Sequence, residues 1–308
     1  AIDKTMFFGP SILTCGPIYA VTGGCGHEKY GLVMASGSDE LRRAMRIHVA
    51  RGLDGVVLQV SGKPLDSLNG EYHQEMSTKE IHDLIKHAHG AEKKVMTVAS
   101  GDPSISTCID AGADTILEGR RIGKENLTVM AQKGISYVPC MVNTPEEFSI
   151  EHKAVVAEAI KAGVAIGVGT ETLPSQPVDG TVAVVKELEL LVECGMTPVQ
   201  ALNAATSGAA KIAGSKAGVL AAGKPADFIA VEGAPDKDIA AMRSIAMVVK
   251  SGRRAFLRAG GKNENAFRIM LPGYEVAGGA TIDWTRGAVQ GVIAPESYND
   301  KWNLYKEI

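Results

Sequence analysis

Two glutamates stand where a folded chain can use them. Glu118 closes the short apolar run DTILEG, and Glu171 follows VAIGVGT. Both therefore fall at the carboxyl end of a predicted strand, where a carboxylate can exchange protons with a bound molecule or hold a hard cation. A second cluster, Cys25, Gly26, His27 and Glu28, places a thiol and an imidazole in a Gly-rich stretch. Cys25 and His27 are candidates for metal ligation or for an activated thiolate, and the glycines let backbone approach a ligand closely. Gln59, Lys63, Tyr72 and His73 lie at or just beyond DGVVLQV, and Ser100 ends VMTVAS. These five are candidate substrate contacts, with the Lys63 ammonium a natural partner for a carboxylate. Each position also suits a plainer role: polar pocket lining for the glutamates, a turn for the cysteine cluster, solvent exposure for the rest. His82, His87 and His89 share one helical stretch without a carboxylate shell, the pattern of surface or structural histidines. Cys108, Cys140 and Cys194 read as small buried apolar groups.

The elements that must position these residues alternate. Strands are predicted at SILTC (11–15), DGVVLQV (54–60), VMTVAS (95–100), DTILEG (114–119), SYVPCM (136–141) and VAIGVG (164–169). Helices are predicted from Ser38, Ser77, Lys124 and Ile150, the first two opened by a Ser with an acidic residue within three positions, and all four closed by Gly. Apolar strands separated by helices imply a parallel sheet, either a barrel or a doubly wound sheet. A barrel carries its chemistry at the carboxyl ends of its strands. After a long helical segment from Thr181, Thr197 is a predicted cap with Pro198 in the first turn. Residues 215–258 then read as a small β module, and 259–308, with Trp284 and Trp302, as an extended tail.

Thirty-two Lys and Arg against 35 Asp and Glu give a net charge of −3, so no global electrostatic case exists for nucleic acid or an anionic membrane. The five cysteines form no CxxC pair and are odd in number, favouring reduced thiols in the cytoplasm over a disulfide framework. No apolar run reaches the ~20 residues of a membrane helix. The start, AIDKTMFFGP, lacks a basic segment followed by an apolar one.

The runs TPVQALNAATSGAAKIAG, GVLAAGKPADFIAVEGAPDKDI and VVKSGR resemble the C-terminal signature of metal-dependent amidohydrolases, in the imidazolonepropionase-like and prolidase-like branch. CGPIYAVTGGCGHEKYG resembles the loop after the third barrel strand of that family, and IKHAHGAEKKVMTVASGDPSISTCIDAGADTILEG resembles its fifth and sixth strands. The resemblance covers residues 8–255. It implies an α/β fold, a (β/α)8 TIM-type barrel of which this chain holds strands three to eight, with a composite β-sandwich, and a one- or two-metal site that activates water against a C–N bond. The family's ligands are mostly replaced. Its fourth-strand Lys falls on Val57, its fifth-strand His positions on Val98 and Ser100, its sixth-strand His on Glu118, its eighth-strand Asp on Glu171 and the His of its GGHG loop on Cys25. The first-strand HxH pair has no counterpart in the sequence.

Three functions follow as expectations. The first is one subunit of an amidohydrolase-type hydrolase acting on a small molecule, with Glu171, Glu118, Cys25 and His27 as catalytic candidates. A second polypeptide then supplies the absent barrel strands in a hetero-oligomer, and a divalent metal such as zinc binds only if that partner brings ligands, Glu171 and Glu118 being the metal-ligand candidates of this chain. The others are a non-catalytic scaffold or regulator paired with an active paralogue, and a metal-independent lyase or hydratase. Fold alone does not choose among them.

Overall fold

The computed structural model describes residues 9–25, 31–62, 72–172 and 182–258, and the backbone of 267–269, 281–283 and 288–290. Six parallel strands form the main sheet: β1 (Ile18–Val21), β2 (Leu32–Ala35), β3 (Gly55–Gln59), β4 (Lys94–Ala99), β5 (Thr115–Glu118) and β6 (Ser136–Val138), in the spatial order β2-β1-β3-β4-β5-β6. Helices α1 (Gly37–Ala50), α2 (Thr78–Gly90), α3 (Asp102–Ala111), α4 (Lys124–Lys133) and α5 (Glu146–Lys161) follow β2 to β6 in turn. Alternate residues of the strands separate the two faces. Val56, Leu58, Val60, Val95, Ile116 and Tyr137 join Leu41, Met45, Ile81, Leu84 and Ile85 of the helices in one buried core.

The strand expected at SILTC does not form. Gly16, at φ +65, and Pro17 interrupt the apolar run. Ile12 and Leu13 are left exposed, and Thr14 is tied to Asp54 by two bonds of 2.7 and 2.8 Å at the entrance to β3. The strand starts instead at Ile18, whose flanks on both sides are parallel partners. VAIGVG contributes one bridge, Ile166 to Tyr137, rather than a ladder. Two of its glycines press against the sheet: a Cβ on Gly169 would stand 2.5 Å from Val138. Along the described residues, the sheet thus ends at β2 on one side and at the Ile166 segment on the other. The edge strand is therefore β2, and the strand expected at SILTC has no place in the sheet.

Two helix starts follow the sequence signals. Ser77 caps α2 in a full capping box with Glu80, and Thr197 does the same with Gln200 for α7 (Pro198–Ala205), where Pro198 takes the first turn. At α1 the cap is Ser36, two residues before the expected Ser38, with Glu40 accepting the Ser36 N–H. Helix α3, opened by Gly101 and Pro103, was not foreseen. Helices α6 (Ala183–Glu193), α7 and α8 (Ser207–Ala213) lead to an antiparallel sheet of β7 (Phe228–Val231), β8 (Ile245–Lys250), β9 (Arg253–Arg258) and β10 (Phe267–Ile269). Ile239 and Met242 bury a short turn against α6, and Arg243 grips Glu189 with two bonds of 2.6 and 2.7 Å. Among the described residues, no helix is long and apolar enough to cross a membrane.

Candidate functional site

The carboxyl ends of β3, β4 and β5 are latched in series. Ser61 Oγ accepts the Ser100 N–H at 2.8 Å, and Ser100 Oγ accepts the Arg120 N–H at 3.1 Å. Gln59 Nε2 donates to the Ser61 carbonyl at 2.9 Å. The polar residues expected to meet a substrate here are therefore buried and already spend bonds on holding the strand ends in line.

Beyond the latch lies a charged cluster. Glu118, 3% exposed, pairs with the Arg120 guanidinium at 3.3 Å. Arg120 Nη2 donates to the Asn143 carbonyl at 3.4 Å, and Asn143 Nδ2 donates to Glu171 Oε2 at 3.3 Å. One chain of contacts thus joins the two glutamates singled out in the sequence through two residues that were not. Four non-glycine residues here have left-handed backbones: Glu118 at φ +62, Arg121 at +61, Cys140 at +53 and Glu171 at +48. Strained conformations of this kind are held only where the surroundings over-determine them, and they concentrate at functional sites.

Two buried groups support the cluster from behind. His152 Nε2 donates to the Glu118 carbonyl at 2.8 Å, Tyr137 Oη donates to the same carbonyl at 3.0 Å, and Thr144 Oγ1 bonds His152 Nδ1 at 2.7 Å. Glu187, fully buried on α6, accepts the N–H groups of Met141 and Val142 at 3.0 and 2.9 Å, fixing the short turn that presents Asn143. Burial raises the Glu187 carboxyl to about 7, against the opposing pull of those two N–H groups. Burial, helped by the Arg120 charge, lowers His152 to about 4. Burial also pushes the Cys140 thiol well up, reinforced by the charges of Glu171, Glu187 and Glu118, so Cys140 stays a thiol and not a nucleophile.

These shifts give opposite pH slopes. Between pH 4.5 and about 7 folded Glu187 keeps a proton that the unfolded chain releases, so its contribution is fully present below 4.5 and lost as pH rises towards 7. Between 6.5 and about 4 the unfolded chain protonates His152 and the folded chain does not, so that contribution is lost as pH falls. Each slope approaches about 1.4 kcal/mol per pH unit. Glu187→Gln removes the first, and urea unfolding at stepped pH then shows stability rising from pH 4.5 to 6.5. A profile parallel to that of the unsubstituted protein removes Glu187 from this account.

The remaining candidates lie nearby or apart. The Cys25 N–H donates to both Glu75 carboxylate oxygens at 2.9 Å, and Glu75 packs against Gly24 and Gly62. Tyr72 stacks under Arg121, whose Cζ stands 5.6 Å from the ring centroid, while His73 is exposed. His27 and Lys63 lie outside the described residues. His89 pairs with Asp114 at 2.9 Å on the flank of α2, and His87 contacts Arg46. A cleft of about 540 Å3 opens at the other end of the sheet, lined by Lys94, Asp114, Ser136 and Lys211 among others; Lys94 Nζ is spent there on the last carbonyls of α8.

The metal that the resemblance implies does not fit these residues. Val57 and Val98 offer no donor, Ser100 is tied into the latch, and the Glu118 carboxylate is already paired with a guanidinium. Among the described residues no group of three or more His, Cys, Asp or Glu side chains converges as a metal site would require.

With this geometry in place, comparison with known proteins is informative. The amidohydrolase family profile matches residues 1–255. The Aspergillus niger ochratoxinase is 28% identical over 78% of this chain and 58% of its own length, so the chain spans little more than half of that relative. The crystal structure of A. niger ochratoxinase superposes with a TM-score of 0.73 at 27% identity, covering 82% of this chain and 68% of that one. A Xaa-Pro dipeptidase with methionine bound in its active site gives the same score and identity, covering 82% and 70%.

Proposed function

The chain belongs to the amidohydrolase family, and from that premise we propose that it is one subunit of a hydrolase that cleaves a non-peptide carbon–nitrogen bond of a small molecule in the cytoplasm. The observation that carries the reading is the contact chain Glu118–Arg120–Asn143–Glu171 at the carboxyl ends of the parallel strands. Glu171, which accepts from the Asn143 amide and follows the last apolar run of the parallel-strand region, is the proton acceptor. It takes a proton from water as the water oxygen bonds to the carbonyl carbon, and returns it to the nitrogen as the C–N bond breaks. Glu118 and Arg120 hold the wall opposite. Cys25, whose N–H is bonded to Glu75, and His27, two residues further along the sequence, are the further catalytic candidates of this reading.

The barrel wall beyond β2 and Ile166 comes, in this reading, from a second polypeptide. Support comes from the sheet ends, since a (β/α)8 barrel closes on itself, and from Phe228 and Ile229 of β7, both of which face solvent on the small sheet. Ligands for a divalent ion, if the assembled enzyme carries one, come from that partner.

One observation favours a second reading, a non-catalytic scaffold or regulator of an active paralogue: Glu118 is neutralised from within the chain. The two separate cleanly in 18O-water. The complex that co-purifies with this chain is incubated with a panel of small amides, ureas and carbamates, and products are weighed by mass spectrometry. One 18O in the acid product and an equivalent of amine support the hydrolase. Intact substrates, with a folded hetero-oligomer in native mass spectrometry, support the scaffold; a folded 32.3 kDa monomer overturns the two-chain assembly in both.

A further inference from the structure

Asn143 touches both sides of the site at once. Its side-chain Nδ2 donates to Glu171 Oε2 at 3.3 Å, and its carbonyl accepts from Arg120 Nη2 at 3.4 Å. Where Asn143 sits therefore sets how Glu171 faces the Glu118–Arg120 pair. Asn143 in turn belongs to one short helical turn, Met141–Asn143, entered through Cys140.

That turn is held from another element. Cys140 is left-handed at φ +53, a conformation that a residue with a side chain keeps only under constraint. A left-handed residue running into a helical turn aims successive N–H groups to one side and makes a backbone concavity for an anion. Here the chain fills it with a carboxylate of its own: Glu187 Oε1 accepts the Met141 N–H at 3.0 Å, and Oε2 the Val142 N–H at 2.9 Å. The next two N–H groups, of Asn143 and Thr144, close back on the Cys140 and Met141 carbonyls at 3.0 Å each. Glu187 thus supplies the two acceptors that the turn does not supply itself.

We propose that Glu187, on α6, is a positioning residue for the hydrolysis: through the Met141–Asn143 turn it sets the place of Glu171 against the Glu118–Arg120 pair. The inference rests on the reading of Glu171 as the proton acceptor and deepens it. Glu187 is fully buried, so it acts through the turn and not by contact with substrate. Without its two oxygens, the Met141 and Val142 N–H groups lose their acceptors, the Cys140 backbone relaxes, and both Asn143 contacts lengthen together. A misplacement of about 1 Å at a reacting group costs on the order of a hundredfold in rate. Glu189, two residues further along α6, faces Arg243 instead and provides an internal control for the helix.

Two measurements separate positioning from support of the fold. The first is hydrogen exchange read by mass spectrometry, on the full chain with whatever polypeptide co-purifies, at a pH above the Glu187 value of about 7. Glu187→Met, which removes both acceptors, speeds exchange at residues 140–144 and 170–172 together and leaves β3 and β4 unchanged; Glu189→Gln speeds neither segment. Faster exchange confined to 140–144, or spread evenly over the sheet, overturns the proposal. The second is steady-state kinetics on a substrate cleaved in the 18O screen. There kcat falls on the order of a hundredfold in Glu187→Met, and by less in Glu187→Gln, which keeps the size and one acceptor oxygen. KM holds, and Glu189→Gln matches the unsubstituted protein. Asn143→Ala combined with Glu187→Met falls no further than the slower single variant, as two residues on one path require. Unchanged kcat, a loss expressed in KM, or additive losses each sink the idea. Should Glu187→Met not fold, Glu187→Gln carries both measurements. Linked exchange without turnover of any substrate removes the hydrolase reading and keeps the hold of Glu187 on Glu171; turnover without linked exchange does the reverse.

Discussion

Glu171→Gln lowers turnover of the assembled enzyme by about two to four orders of magnitude, the range supplied by a positioned general base. The loss falls on kcat rather than KM, because the amide keeps the size and the hydrogen-bonding oxygen of the carboxylate but cannot accept a proton from water. Folding is preserved for the same reason: Asn143 Nδ2, which donates to Glu171 Oε2 at 3.3 Å, finds the Gln oxygen in the same place, and the left-handed backbone at this position is no harder for Gln than for Glu. The measurement is steady-state kinetics on material whose thermal unfolding matches the unsubstituted protein. Unchanged kcat takes Glu171 out of the chemistry and moves the proton acceptor elsewhere in the assembly.

The second large effect is on stability. Arg120→Met costs about 3–5 kcal/mol, since removing one partner of a buried ion pair strands the other. Arg120 is 2% exposed and Glu118 3%, so water cannot compensate the carboxylate left behind. Removing both charges together, as Glu118→Gln with Arg120→Met, recovers most of that loss, because the penalty belongs to the unpaired charge and not to the absence of the pair. Denaturant unfolding of the two single variants and the double variant closes the cycle. Additive losses would mean that the two side chains are independent and that their 3.3 Å approach contributes nothing.

The alternation of strand and helix from residue 54 onwards was legible because β-branched runs and capped amphipathic stretches carry opposite periods. The capping boxes at Ser77 and Thr197 sat on their predicted residues, since caps depend on local chemistry alone. SILTC has the composition of a strand, but strand formation needs a free ladder alongside, and Gly16 and Pro17 turn the chain before one is reached. Helix α3 has a weak signal because its apolar stripe is only Ile105, Cys108 and Ile109 among ten residues that are otherwise small, polar or proline.

The site was half visible. Glu118 and Glu171 could be found because each ends an apolar run. Arg120 could not, since LEGRR reads as a strand running into a solvated turn; it is held in place by the Ser61–Ser100 latch across the neighbouring strand ends and by its pair with Glu118 two residues before it. Glu187 sits in KELELLVE among acids of equal appearance. Only the rotation of α6 towards the turn at Met141 distinguishes it from Glu189, which faces Arg243. A lone acidic residue in phase with Val185, Leu188 and Leu191 was the available signal.

A guanidinium sealed under the strand ends also dictates the order in which this scaffold can be re-engineered. Val57→Lys, Val98→His and Ser100→His would supply the donors that the strands lack, yet the Arg120 backbone is bonded directly to Ser100. An incoming dication would have to settle beside a fixed positive charge in a poorly screened interior, where like charges repel far more strongly than in water. Donors grafted first therefore yield a protein whose site stays empty. The productive sequence removes the Glu118–Arg120 pair as a unit and only then installs ligands, so that no unpaired charge is left behind by the removal and the last step has a vacancy to fill.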